Sequence, residues 1–241
     1  MNYMTWENLS DFAFVNTDTL TGDIKGVVVN FHGYTDASMF TKSGIYAESL
    51  GKKGIIYIFP YYSVWSWYSK SSMAFVEEVI DTVYAHFALP SDIPFMTTGG
   101  SMGGMVAMLY GVYGKRKICA CACNCPVTDL VIRMRDHNMV RAIYSAYNLE
   151  DKPFEQCVRE HSPIHMAEKF ARVPYKFVFG GADGCITPEQ SVPFCEKMRE
   201  CGHKFTSETV SEMVHCDILS HKLATAEYID FVIDQIYRNC K

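Results

Sequence analysis

Short apolar runs alternate along this chain with longer stretches of helical period. Residues 26–31, 55–59, 95–98, 119–125 and 175–179 read as strands buried on both faces. Residues 204–210 alternate like a further strand, and residues 11–15 form a candidate edge strand. Between these runs the period changes. From 73 to 87, Met73, Val76, Ile80, Val83 and Phe87 share one helical face, with Glu77, Glu78 and Asp81 on the other. From 217 to 237, Leu219, Leu223, Ala226, Ile229, Val232, Ile233 and Ile236 repeat the pattern, and Asp217 is placed to cap that helix. Thr187-Pro188-Glu189-Gln190 resembles a helix start, but Pro193 follows. A short turn is expected first, with the long helix beginning near Ser191. Strands alternating with helices predict an α/β fold, a mostly parallel central sheet covered by helices on both faces. A chain of 241 residues is about one such domain, and no internal repeat or second domain is visible over 1–241.

The strand at 95–98 runs into Gly99-Gly100-Ser101-Met102-Gly103-Gly104, and a helix-like run follows from Met105. Strand, Gly-x-Ser-x-Gly and helix in this order describe a nucleophile elbow. The turn is so tight that the serine sits at strained backbone angles, and the residues two before and two after must be very small. Gly99 and Gly103 fill those positions, and Gly104 lets the helix approach the strand.

A serine hydroxyl needs a base, and the base needs an orienting acid. The strand at 175–179 opens into Gly180-Gly181-Ala182-Asp183-Gly184, with one acid at the loop's tip. The strand at 204–210 is followed by a loop carrying His215. Asp183 and His215 therefore lie just beyond C-terminal strand ends, where sites of open α/β sheets are built. Ser101, Asp183 and His215 are the candidate catalytic residues, in the chain order Ser, acid, His. Asp129, after the cysteine strand, is the alternative acid. For the oxyanion, the strand at 26–31 ends in His32-Gly33-Tyr34. The Tyr34 and Met102 N–H groups are the expected donors, and loss of one such donor costs about 100- to 1,000-fold in rate.

On these residues the chain is similar to α/β-hydrolase-fold serine hydrolases over nearly its whole length. Within that superfamily it resembles the prolyl-oligopeptidase-like and acyl-esterase branch. The carriers are Gly-Gly-Ser-Met-Gly-Gly, Ser162-Pro163-Ile164 before the acid-bearing strand, and Gly180-Gly181-Ala182-Asp183. The Gly-His pair usual at the base departs here to Val214-His215-Cys216. The resemblance implies a small lid insertion between the cysteine strand and the acid strand, over residues 127–173. Arg133, Arg135 and Arg141 within it read as a solvated face, with reception of an acidic substrate as the alternative.

A net charge of −5, from 22 basic and 27 acidic residues, leaves no basic footprint for nucleic acid. No apolar run is long enough to span a membrane. The N-terminus has no basic region followed by an apolar core, so no signal peptide is expected. Ten cysteines in that setting predict reduced thiols and a cytoplasmic location. Cys119, Cys121, Cys123 and Cys125 alternate at strand spacing, so all four are expected on one face as small apolar residues. Along an extended strand they span about 20 Å and cannot share one ion. Cys185 and Cys216 adjoin the candidate acid and base and are expected near the pocket.

Five aromatics crowd into residues 61–68, after a strand's C-terminal end. Such rings offer contact area with a polar handle. Trp65, Trp67 and Tyr68 are the candidate substrate-binding residues, with two of the loop's rings expected to anchor it. His32 is expected to bond backbone within its loop, and Asp36 to cap a turn. The remaining histidines carry no motif.

Together these features predict a serine hydrolase acting on small-molecule carboxylic esters of small or medium acyl groups, through an acyl-enzyme and without metal or organic cofactor. A prolyl-oligopeptidase-like peptidase is the alternative, against which the missing gating domain weighs. A non-catalytic binding protein on the same fold is the competitor from another class.

Overall fold

The computed structural model describes residues 3–240. Seven strands form one sheet among them: β1 Ala13–Val15, β2 Gly26–Phe31, β3 Ile55–Pro60, β4 Phe95–Gly100, β5 Ala120–Asn124, β6 Tyr175–Gly180 and β7 Phe205–Val210. Their order is β1-β3-β2-β4-β5-β6-β7. Only the short edge strand β1 is antiparallel, paired Ala13 to Pro60, while β2 to β7 all run parallel. The apolar runs became strands because both faces are covered. Val27, Val28, Val29, Ile55, Ile56 and Ile58 are fully buried. The edge strand β7 is half-exposed, with no fully buried position, and does not show the alternation expected from its sequence.

The helices are α1 Ile45–Gly51, α2 Lys70–His86, α3 Met102–Tyr113, α4 Leu130–Arg133, α5 His137–Tyr147, α6 Phe154–Glu160, α7 Pro163–Met166, α8 Pro188–Glu200 and α9 Lys222–Asn239. α3 is buried continuously from Met102 to Tyr110. It is apolar all round, as a helix wedged behind the middle of a sheet must be. α1 and α9 pack against each other, and α9 also covers β2, β4, β5 and β6. The Tyr228 hydroxyl on α9 donates to Ala122 O of β5 at 2.8 Å.

Three local expectations are corrected. Glu77 is buried rather than solvated, because the turn after α3 folds over α2. Arg116 Nη1 lies 3.1 Å from its carboxylate, and the Lys115 N–H donates to it at 2.7 Å. α8 starts at Pro188 and runs through Pro193 without a preceding turn. Pro193 is the sixth helical residue, so the helix loses one hydrogen bond near an end where N–H groups are already unpaired. α9 begins at Lys222, five residues beyond the point expected, and Asp217 instead precedes a 3-10 turn over Ile218–Ser220.

Register sets the site. Phe31 pairs with Gly99, Gly100 with Asn124, and Gly180 with Val210. The C-terminal ends of β2, β4, β5, β6 and β7 therefore share one edge of the sheet. The chain order reverses between β2 and β4, and that switch point is where α/β sheets open a crevice.

Candidate active site

Ser101 stands between β4 and α3 with φ 55° and ψ −122°, a conformation that costs a non-glycine residue about 1–3 kcal/mol. The surroundings hold it there. The Ser101 N–H donates to Asn124 O at 3.0 Å, and its carbonyl accepts from Val127 N at 3.0 Å and Gly104 N at 3.1 Å. The flanking glycines are required by space. A Cβ at Gly103 would collide with the Phe31 carbonyl, and one at Gly99 would lie 2.9 Å from that same oxygen. At Gly104 it would stand 2.7 Å from Pro126 Cβ.

The loops after β6 and β7 bring Asp183 and His215 to this serine. His215 Nε2 is 2.9 Å from Ser101 Oγ, and His215 Nδ1 is 2.8 Å from Asp183 Oδ2. Asp183 Oδ1 accepts from the Cys185 and Ile186 N–H groups at 2.7 and 2.9 Å. Burial alone would raise the Asp183 pKa, but the bond to His215 and the two backbone donors hold it below the usual carboxylate range. Burial opposes charge on His215. The Asp183 bond outweighs it, Cys125 adds to the effect, and the imidazole is pushed up to about 10. Asp129 is elsewhere, its Oδ1 accepting from Val131 N at the start of α4.

The loop after β2 passes over the serine. A Cβ on Gly33 would be 3.7 Å from Ser101 Cβ. Neither the Tyr34 nor the Met102 N–H donates to a protein acceptor among the described residues. His32 is buried, with Nδ1 2.9 Å from Gly33 O and Nε2 2.9 Å from Tyr62 O. Its ring stacks on Tyr62, with centroids 3.8 Å apart. Asp36 Oδ1 accepts from Ser38 N, as a turn-capping carboxylate does.

The aromatic loop differs from expectation. Trp67 and Tyr68 are each 1% exposed and lie in the core, and Trp65 is exposed on the surface. None of the three lines the cavity beside Ser101. The segment between β5 and β6 holds the loop's backbone: the Tyr147 hydroxyl on α5 donates to Trp67 O at 2.5 Å, and Lys70 N donates to Glu150. The loop instead supports its neighbour: Trp67 stacks on Tyr34, and Thr35 N donates to Val64 O at 3.0 Å. None of the described residues between 127 and 173 lines the cavity. Arg133 and Arg135 bond to the Cys185 carbonyl and to Glu189, so they tie the insertion to the loop that bears Asp183 and to α8.

The cavity holds about 510 Å³ and opens at Ser101 and His215. Phe14, Phe40, Phe59, Tyr46, Tyr57 and Tyr228 form its aromatic wall. The Tyr57 hydroxyl accepts from Asn30 Nδ2 at 3.0 Å, and Thr98 Oγ1 donates to Asn30 Oδ1 at 2.9 Å. Burial raises the Tyr46 and Tyr57 hydroxyls well above the usual phenol range, so both stay neutral. These wall residues escaped sequence reasoning because they come from β1, β3, α1, α9 and the loop between β2 and α1 and form no local motif.

Cys121 and Cys123 share a face, their sulfurs 3.6 Å apart. Cys125 leaves that pattern. At φ 44° it turns out of the strand, and its sulfur joins Cys216 and His215. The Cys216 contact, and then His215, pulls the Cys125 thiol down to about 6 against its burial, while Cys216 is driven upward by the same contact. Cys216 lines the cavity as expected, whereas Cys185 is exposed and does not. The position of Cys125 just past a C-terminal strand end was the available clue. All ten cysteines are free, and no described helix is long and apolar enough to cross a membrane.

No protein-family model matches the chain, and no curated protein matches its sequence. Solved structures do match. An acylaminoacyl peptidase of Pyrococcus horikoshii is 11% identical with a TM-score of 0.74, over 95% of this chain and 39% of that one. An S-formylglutathione hydrolase from Agrobacterium tumefaciens is 15% identical with a TM-score of 0.70, over 94% and 88%. A thermophilic esterase from the planctomycete Thermogutta terrifontis is 17% identical with a TM-score of 0.64, over 92% and 87%. The chain spans about two fifths of the peptidase and most of the other two. The likeness establishes the fold: this chain has the α/β-hydrolase fold.

Proposed function

We propose that the chain is a serine hydrolase that cleaves carboxylic esters of small to medium, neutral acyl groups. The observation that carries this is His215 bridging Ser101 Oγ and Asp183 Oδ2, at 2.9 and 2.8 Å, beside an aromatic cavity. Ser101 Oγ attacks the ester carbonyl while His215 Nε2 takes its proton. Asp183 keeps the other imidazole proton on Nδ1 and stabilises the imidazolium. The Tyr34 and Met102 N–H groups hold the oxyanion. His215 then protonates the leaving alcohol, and a water repeats the steps to release the acid.

The cavity supports the acyl assignment. Its wall is aromatic and neutral, and Asp36 is the one fixed carboxylate along it among the described residues. A substrate carboxylate would find no lysine or arginine there, whereas an uncharged acyl chain buries apolar surface at about 25 cal/mol per Å². The Trp67 ring acts behind the Tyr34 loop as a positioning residue. Ten free thiols favour a reducing, cytoplasmic setting.

The test is a fluorophosphonate probe together with p-nitrophenyl esters from acetate to decanoate, beside an aminoacyl p-nitroanilide. Labelling at Ser101 with turnover of the shorter esters is expected. Faster cleavage of the anilide would replace the esterase by a peptidase. Absence of labelling would leave a binding protein on this fold.

A further inference from the structure

The proposed general base has a second set of neighbours that the hydrolytic reaction does not use. Cys125 Sγ, Cys216 Sγ and a ring nitrogen of His215 all lie within 4.8 Å of one another. Nδ1 of His215 is held by Asp183, so the nitrogen on offer is Nε2, 3.8 Å from Cys216 Sγ. Ser101 Oγ stands 2.9 Å from the same nitrogen. A tetrahedral zinc ion, with bonds of about 2.3 Å to sulfur and about 2.0–2.1 Å to nitrogen, holds its donors roughly 3.3–3.8 Å apart. The Cys216–His215 pair is at that spacing before any adjustment, and Cys125 Sγ lies within 4.8 Å of both.

The alternatives are weaker. Cys121 and Cys123 have sulfurs 3.6 Å apart, but Cys123 Sγ is turned to Gly104 O against α3, and no third donor among the described residues joins them. Asp183, Cys185 and His215 also cluster, but there the carboxylate already accepts three hydrogen bonds that an ion would have to break. The Cys125–Cys216 side asks for less. Cys216, His215 and Ser101 all line the cavity, which gives an ion the substrate's route of entry.

We infer that Cys125, Cys216 and His215 Nε2, with Ser101 Oγ or a water as fourth ligand, form a site for a thiophilic divalent cation of the zinc class. Coordination releases to water whatever protons the two sulfurs and Nε2 carry. Inhibition, the functional consequence, rests on the hydrolase proposal. The Nε2 lone pair that would accept the Ser101 proton is the one the ion takes, so a loaded site has no free base. Magnesium and calcium, which select oxygen donors, leave the enzyme active.

The experiment uses the full chain, reduced and stripped of metal, titrated with cobalt(II) and then zinc. One equivalent of cobalt is expected to give a near-ultraviolet thiolate-to-cobalt band that zinc removes. The band should persist in Ser101→Ala, which reads binding without turnover. It should be lost, or need at least tenfold more cobalt, in Cys216→Ala and Cys125→Ser. Zinc should inhibit ester turnover reversibly by chelator, with a midpoint raised at least tenfold in Cys216→Ala relative to that variant's own metal-free rate. No thiolate band in the wild-type chain, or a band that survives the Cys216 change, overturns the site. If Cys125→Ser does not fold, Cys216→Ala alone decides. A chain that binds cobalt through thiolates yet cleaves no ester overturns the hydrolase proposal and leaves the site standing. Ester turnover without the band does the reverse.

Discussion

The indole of Trp67 stacks on the ring of Tyr34, centroids 5.4 Å apart and planes inclined by 30°. Tyr34 follows Gly33 in the loop that passes over Ser101, so a buried ring outside the cavity supports the backbone proposed to hold the oxyanion. Trp67→Ala should cost about 3–5 kcal/mol in stability, the usual price of emptying a large buried site. Trp67→Phe, which keeps a ring, should remain folded and lower kcat while leaving KM nearly unchanged. Trp65→Ala, at an exposed position, should shift stability by less than about 0.5 kcal/mol. Urea melts and ester kinetics on the three variants read this directly. An altered KM with unchanged kcat in Trp67→Phe would return the ring to substrate contact.

The elbow, the acid loop and the base loop were legible because each is a local event. A strand's apolar run stops, glycines follow, and a polar residue is left at the sheet's edge. Parallel register then brings the three loops together without further information. The aromatic loop was not legible in the same way. Trp67 lies in the core, where its carbonyl accepts from Tyr147, eighty residues away in the chain, and no local pattern announces such a partner. Glu77 was misplaced for a similar reason, since its partner Arg116 lies beyond α3. Pro193 and Asp217 mark the limits of capping rules, because tertiary packing can carry a helix through a proline near its start or begin it a turn late.

Gly103 faces the Phe31 carbonyl so closely that an alanine methyl has no space, and the obstacle is backbone rather than a mobile side chain. Gly103→Ala should therefore destabilise the fold by about 1–3 kcal/mol and pull α3 away from β2. For a chain of this length that is a fall in melting temperature of roughly 2–12 °C. Gly184→Ala is the control, since a Cβ there meets nothing within 4 Å. Equal melting temperatures for the two variants would contradict the close approach.

Asp183 holds His215 Nδ1 through one oxygen and two backbone N–H groups through the other. Asp183→Asn keeps the shape but can present an amide N–H toward Nδ1, which favours the wrong tautomer and leaves Nε2 protonated. Turnover should fall by about 10⁴-fold with KM little changed. Ser101→Ala should remove fluorophosphonate labelling altogether and lower turnover by about 10⁴-fold or more. Retention of more than a tenth of the activity in either variant would remove that residue from the mechanism.

The raised pKa of His215 gives a pH profile with a definite sign. The base works only when neutral, and Asp183, helped by Cys125, keeps it protonated above its ordinary 6.5, toward about 10. The acidic limb of kcat/KM should therefore have its midpoint above 6.5, with activity still rising on the alkaline side of neutrality. Cys125→Ser and Asp183→Asn each remove a contact that favours the charged ring, so both should move the midpoint to lower pH. Stability carries the opposite sign. A group whose folded pKa is raised contributes stability below its unfolded value of 6.5 and loses it as pH climbs through about 10. The wild-type melting temperature should thus decline over that interval more steeply than that of Asp183→Asn. Parallel pH–rate and pH–melting series on the same three proteins test both signs, and a limb that stays fixed in both variants would show that another group controls the profile.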